Sequence, residues 1–214
     1  MKNHWWKLLI LIFLVLIAVF WFVRIPFISN YLTKKTRVPV SIEWIGIWPR
    51  ETTLRGFKIK NPEGYKMKVA FKAESTEINY QLKNLISNPT KFDQIFLKDV
   101  FLGVEFLDPY QPTNNWTQIG KNMKASKSQK RVIIDKLVLT NLKIEILGLE
   151  LSGKPLTKTV DRLEFENIDS AKGFPTEELV QKVFGGAGIG EYIEDVFNPE
   201  NLLNPFHIFG HQSE

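Results

Sequence analysis

The chain has 214 residues and a formal net charge of +5, with 44% hydrophobic and 24% charged side chains. This composition is typical of a folded protein and excludes a disordered chain. It contains no cysteine, which excludes a disulfide framework, a thiolate metal site and a cysteine nucleophile. No basic run is interleaved with aromatic residues, so nucleic acid is not an expected partner.

The chain opens with an apolar run from Leu8 to Val23 that contains no polar residue. As a helix this run extends for about 24 Å, and its aromatic and apolar flanks bring it close to a hydrocarbon core of roughly 30 Å. A cleaved signal peptide is disfavoured, because large residues follow Ala18 where small ones are needed. We therefore predict an uncleaved membrane anchor. Its marker residues are Trp5, Trp6, Leu8, Val23 and Arg24. Basic residues lie on both sides of the run and leave its orientation open.

Strand patterns follow the anchor. A short helical extension is expected up to Thr36, since Pro39 stops it, and strands are then expected over Val38–Trp48 and Thr53–Ile59. The residues from Lys66 to Ala73 alternate between lysine and apolar side chains, after which the apolar positions change parity. This change predicts a bulge or bend near Glu74 to Thr76.

Two later segments, 92–106 and 132–146, resemble each other. Each has an apolar stretch, a polar break and then alternation, which predicts either two strands with a tight turn or one long kinked strand. The residues between them, 108–130, are expected to form a polar loop, and 156–165 a further strand. Beyond Thr176, helical spacing of Leu179, Val180 and Val183 predicts the first of two short helices.

These patterns predict a mostly β protein with an N-terminal transmembrane helix. The fold we expect is a curved antiparallel sheet of about eight strands, shaped as a groove, with two short C-terminal helices. The expected division is 1–30 for the cytoplasmic tip and anchor, 31–170 for the β domain, and 171–214 for the C-terminal helices and apolar tail.

The sequence offers no catalytic constellation. His207 and His211 share helical ligand spacing but lack a third ligand, and the glycine-rich residues 186–190 lack the lysine of a phosphate loop. The acids near 161–169 are interpreted as surface charge on a strand, and Asn115-Trp-Thr117 is a glycosylation sequon only in a secretory eukaryotic setting. No catalytic residue, metal site or cofactor is predicted.

The apolar face of the predicted sheet is wider than the two predicted C-terminal helices could cover. Two helices of about 12–15 Å cannot cover a sheet that would be near 38 Å wide at about 4.8 Å per strand. The sheet must close on itself, meet a partner, or curl into a groove that holds lipid chains. The candidate groove residues are Val69, Phe71, Val100, Leu102, Val104, Phe106, Leu142, Ile144 and Ile146.

Several segments resemble the opening of AsmA-family proteins, in which a membrane anchor precedes a strand entered through a Pro-Val step. Here that step is Pro39-Val40, within Tyr31–Ile42, with Arg37 in place of the usual glycine. Trp48-Pro49 and the segment Leu54–Tyr65, with its Asn-Pro-x-Gly turn, continue the resemblance. It extends through Asn114–Thr117 to Ile146.

The resemblance implies a bacterial inner-membrane protein with a cytoplasmic N-terminus and a periplasmic domain. It also implies a role in envelope maintenance or lipid traffic, although this chain is far shorter than typical members. We therefore expect a non-enzymatic protein that binds or guides acyl chains. Its expected partners are membrane lipids, with other envelope proteins or a second copy as further candidates. The alternative is a structural or assembly module whose apolar face is closed by its own helices or by a partner protein.

Overall fold

The fold begins with one long helix. The computed structural model describes residues 5–107, 113–124, 131–148, 155–171 and Val183. Helix α1 spans Trp5–Thr36, so the predicted apolar run and its extension form a single helix that ends before Pro39. Its stretch Leu11–Thr36 is long and apolar enough to cross a membrane, with a mean hydropathy of 2.7. Side chains such as Phe22 and Phe27 project outward and are exposed.

A single sheet follows the helix. Its seven strands are β1 (Val40–Ser41), β2 (Trp44–Trp48), β3 (Glu51–Lys60), β4 (Val69–Asn79), β5 (Thr90–Glu105), β6 (Val132–Leu147) and β7 (Leu156–Asp169). The short helices are α2 (Leu82–Leu85) and α3 (Asn115–Lys124). Strands β1 and β2 both pair with β3, and the order then runs β3-β4-β5-β6-β7. The chain is therefore mostly β, as predicted.

The sheet is mixed, and the prediction of an antiparallel sheet was wrong. Strand β5 pairs with β6 in parallel, while the other pairs are antiparallel. A parallel pair needs a crossover connection, and α3 lies within it, in the segment predicted to be a polar loop. The described residues hold seven strands where about eight were expected. The two C-terminal helices were predicted for residues that lie outside the described ones, apart from Val183.

A crease crosses the sheet. Gly56 in β3, Asp99 in β5 and Asn141 in β6 have φ angles of 62°, 53° and 50°. They lie at one level, with Glu74 of β4 between Gly56 and Asp99. Apolar positions change parity at this level. In β3, β5 and β6 the residue with positive φ turns the following side chain to the other face.

The crease resolves two expectations from the sequence. A bulge or bend was predicted near Glu74 to Thr76; the register of β4 with β3 and β5 is the same on both sides of Glu74, so there is no bulge there and the change of parity coincides with the crease. The crease also makes segments 92–106 and 132–146 long kinked strands, which was the second of the two alternatives, and excludes hairpins there. The side chain of Asn141 donates a hydrogen bond to Asp99 Oδ1 at 2.7 Å and links the two kinks.

This crease predicts an asymmetric response to substitution at Asn141. Asn141→Val places a β-branched residue at a positive φ angle and should lower the free energy of unfolding by about 1–2 kcal/mol. Asn141→Gly keeps the conformation and loses only an exposed hydrogen bond, so it should remain close to the parent protein. Chemical unfolding of the detergent-solubilised chain measures both variants. Equal stability of the two would show that the backbone conformation at the crease is not the constraint.

Candidate functional site

One face of the sheet carries a continuous apolar cluster. Six of the nine candidate groove residues are buried in it: Val100, Val104, Phe106, Leu142, Ile144 and Ile146. Phe71 and Leu102 are half-buried and pack against the same cluster. Val69 is half-buried and lies two residues before Phe71 on β4. The structure thus brings eight of the nine together in one cluster.

Strand register explains why these side chains meet. Leu102 pairs with Phe71 on one side and with Ile144 on the other, while Val104 pairs with Ile146. Directly paired residues project to the same face of a sheet, so alternating apolar positions merge into rows that cross several strands. Burying each large aliphatic side chain contributes roughly 1.5–3 kcal/mol. The face is therefore a packed apolar surface and part of the protein's core.

A residue from the C-terminal part of the chain joins this face. Val183 is 2% exposed and belongs to the same cluster as Val104 and Ile144. The sequence predicted Val183 for the apolar stripe of a C-terminal helix. Its burial shows that the chain itself supplies at least one of the side chains that cover the sheet.

The opposite end of the fold is joined to α1 by a charged side chain. Arg24 donates hydrogen bonds from Nε and Nη2 to the carbonyl oxygen of Ile45 at 3.1 and 3.0 Å. Its guanidinium also stacks on the Trp21 ring, 3.6 Å from the ring centroid. Strand β2 lies at the edge of the sheet, where backbone carbonyls lack a strand partner. Arg24, predicted as an anchor residue at the membrane boundary, therefore also holds the sheet edge.

A second contact fixes the direction of this edge. Thr33 Oγ1 accepts a hydrogen bond from the backbone nitrogen of Val40 at 2.9 Å. Because Val40 lies beside Thr33 and Ile45 lies beside Arg24, the segment from β1 to β2 runs back along α1. A pocket of about 490 Å³ remains between the helix and the strand. It is lined by Phe20, Val23, Arg24, Phe27, Ile28 and Ile47.

Helix α3 is attached to the sheet by a buried polar network. Asn115 is fully buried. Its Oδ1 accepts a hydrogen bond from Glu105 N at 3.0 Å. Its Nδ2 donates to Gly103 O at 2.9 Å and to Asn61 Oδ1 at 2.6 Å. Trp116 Nε1 donates to the same Gly103 carbonyl at 2.8 Å. The sequon asparagine therefore joins three segments, and its side chain is inaccessible to a modifying enzyme in the folded chain.

Glu105 extends this network with its carboxylate. Its two oxygens accept hydrogen bonds from the backbone nitrogens of Lys66 and Met67 at 2.8 and 2.7 Å. Burial, and then the negative charge of Glu105, raise the pKa of Tyr65 above its ordinary value. The carboxylate is satisfied by fixed backbone donors, which is the environment of a structural carboxylate.

The acids of β7 have ordinary ionic partners. Hydrogen bonds from Arg162 and Lys136 lower the pKa of Glu164. Asp169 accepts a hydrogen bond from Arg131 Nε at 3.0 Å, which raises the pKa of the Arg131 guanidinium. Asp161 and Glu166 are exposed. Among the described residues no group of three or more potential ligands is placed to hold a metal ion. His207, His211 and the glycine-rich segment lie outside the described residues.

Helix α3 and its network were not predicted, although the sequence contains local signals for both. Asn114 Oδ1 accepts hydrogen bonds from the backbone nitrogens of Trp116 and Thr117, which makes it an N-cap. Thr117 Oγ1 in turn accepts from Asn114 N at 2.7 Å. Trp116, Ile119 and Met123 then recur at helical spacing.

Comparison with known proteins adds no identification. No protein-family model matches the chain, and no curated protein matches it.

The network around Asn115 predicts a strong local dependence of stability. Asn115→Ala leaves Glu105 N without its acceptor and Asn61 Oδ1 without its donor, and should lower the free energy of unfolding by about 2–4 kcal/mol. Gln118→Ala changes an exposed side chain of the same helix and should change stability by less than about 0.5 kcal/mol. Thermal unfolding of the two variants tests this. A small loss for Asn115→Ala, equal to that of Gln118→Ala, would contradict the structural role.

Proposed function

We propose that this chain is a non-enzymatic, membrane-anchored envelope protein that binds or guides lipid acyl chains along the apolar face of its sheet. The observation that carries the proposal is the apolar face itself, which lies on a sheet joined directly to a helix able to cross a membrane. The resemblance to AsmA-family proteins supports a place in the bacterial inner membrane. It also supports a cytoplasmic N-terminus, a periplasmic domain and a role in maintaining the envelope.

The chemistry of the face suits an acyl chain. An acyl chain needs apolar contact and no hydrogen bonds, and each buried methylene contributes about 0.8 kcal/mol. Most of the face is buried, so the contact open to a lipid comes from its half-buried aliphatic side chains on β5 and β6, among them Ile95, Leu97, Leu102 and Leu139. Half-buried Phe71 and Leu102 are the members of the face that a lipid reaches first.

A second candidate function is favoured by one observation. Val183 is buried in the same apolar cluster, so the protein's own C-terminal part occupies some of the face. In that case the chain is a structural or assembly module with a closed core. The two functions differ in whether lipid or protein contacts the half-buried part of the face.

Photo-crosslinking in the native membrane distinguishes them. A benzophenone amino acid replaces Phe71 in the full chain, and its matched control replaces Phe101. Both phenylalanines are half-buried on neighbouring strands, but Phe71 pairs with Leu102 and Phe101 pairs with Lys72, which places them on opposite faces. We expect a phospholipid adduct, detected by mass spectrometry, at position 71 and none at position 101.

The outcome at position 71 decides between the candidates. Adducts confined to peptides of the same chain would contradict lipid handling and support the closed module. Equal phospholipid labelling at both positions would show general membrane proximity and would also contradict a lipid-binding face.

A further inference from the structure

Three exposed apolar side chains lie at one end of the sheet. Trp48, Leu82 and Ile86 are 57%, 59% and 85% exposed. Trp48 begins the turn between β2 and β3, and the other two lie in the connection from β4 to β5. Both connections are at the same end, since Glu51 pairs with Trp48 on one side and with Asn79 on the other. We call residues 48–51 and 80–89 the tip.

The two halves of the tip are held together by Tyr80. Its hydroxyl donates a hydrogen bond to the carbonyl oxygen of Trp48 at 3.1 Å and lies 3.0 Å from Thr52 Oγ1. Its backbone nitrogen donates to the carbonyl oxygen of Arg50 at 3.0 Å. These bonds fix the start of the β4–β5 connection against the β2–β3 turn, so the exposed apolar side chains of both connections lie at the same end of the sheet.

The contacts between α1 and the edge strands show where the tip lies along the axis of α1. The segment from Val40 to Trp48 runs back along the helix, passing Thr33 first and Arg24 later. At about 3.3 Å per strand residue, Trp48 lies roughly 10 Å beyond Ile45, which equals six or seven residues of helix at about 1.5 Å each. Trp48 is then level with the apolar run of α1 that precedes Arg24, and Ile47 contacts the same pocket as Phe20.

We infer that the tip docks into the bilayer that α1 crosses, with Trp48, Leu82 and Ile86 among the lipid headgroups and the first methylenes of the acyl chains. This inference rests on the membrane-spanning role of α1 in the proposed function. Tryptophan concentrates at this interface, and the tip carries two basic side chains, Arg50 and Lys83, against one acidic side chain, Glu51, which leaves an excess of positive charge for anionic headgroups.

Backbone hydrogen bonding supports the placement of the tip at the membrane interface. Carbonyl groups that leave water must find donors within the protein. At the membrane side of the edge strand, Arg24 supplies the donors for the Ile45 carbonyl and Tyr80 supplies one for the Trp48 carbonyl. Arg24 thus satisfies an edge carbonyl that water would otherwise satisfy, while Tyr80 serves a carbonyl at the hairpin where Trp48 pairs with Glu51. Docking of the tip would also bring the near end of the apolar face to the level of the acyl chains.

Spin labelling tests the inference, because the chain has no cysteine and single cysteines are readily introduced. Leu82→Cys and Ile86→Cys carry a nitroxide at the tip. Leu107→Cys is the matched control: Leu107 is 61% exposed, like Leu82, but follows β5 at the opposite end of the sheet. Phe22→Cys, on the exposed surface of α1, reports whether the anchor has inserted. The full chain is reconstituted in vesicles of phosphatidylethanolamine and phosphatidylglycerol.

The readout is the ratio of nitroxide collisions with oxygen to collisions with a water-soluble nickel chelate. We expect this ratio at positions 82 and 86 to exceed that at position 107 several-fold and to approach that at position 22. A ratio at the tip equal to that at position 107, with position 22 immersed, would overturn the docking inference alone. Aqueous values at all positions would overturn the membrane anchor and the proposed function with it.

Discussion

The attachment of strand β2 to α1 depends on one guanidinium group. An edge strand beside an apolar helix presents backbone carbonyls where little water is available to satisfy them, and each unsatisfied group costs free energy. Arg24 meets this need by donating two hydrogen bonds to Ile45 O, while its ring contact with Trp21 keeps the cation near the helix. Strand β2 is thereby fixed, and β3 to β7 follow by successive pairing.

The sheet after α1 is apolar on one face along the length of its long strands. The crease through Gly56, Asp99 and Asn141 turns the side chains over once, and the apolar positions in the sequence change parity at the same points. The change of parity in the sequence therefore matches the change of backbone conformation, and the long strands keep their apolar residues on the buried face. At the far end, the network around Asn115 and Glu105 anchors α3, which lies in the crossover that parallel pairing requires.

Much of this arrangement was predictable from sequence. The apolar run before Arg24 predicted the helix, and the lysine alternation before Ala73 predicted a strand. The parity change after Ala73 predicted a bulge or bend at the level where the crease lies, but not that the crease crosses several strands. The parallel pairing of β5 and β6 was not predictable, because alternation shows which face a strand buries but carries no information on its direction. Helix α3 was missed because its polar flanks hid the Asn114 cap and the spacing of Trp116 and Ile119.

The residues of the apolar face were predicted more completely than the hydrogen bonds that hold α1 and α3 to the sheet. Period-two alternation identified Val104 and Ile144 as same-face residues, and such a pattern is local in sequence. The contacts that place the face are not local. Arg24 and Ile45 are 21 residues apart, and Asn115 and Asn61 are 54 apart. Pairings at such separations arise from the fold as a whole.

Native mass spectrometry of the complete chain, released from bilayer nanodiscs, tests the central claim most directly. We expect peaks for the chain with bound phospholipid, and loss of those peaks in Leu102→Asp, which places a charge on the half-buried part of the face. Folded parent chain released without phospholipid would contradict lipid binding by this sheet.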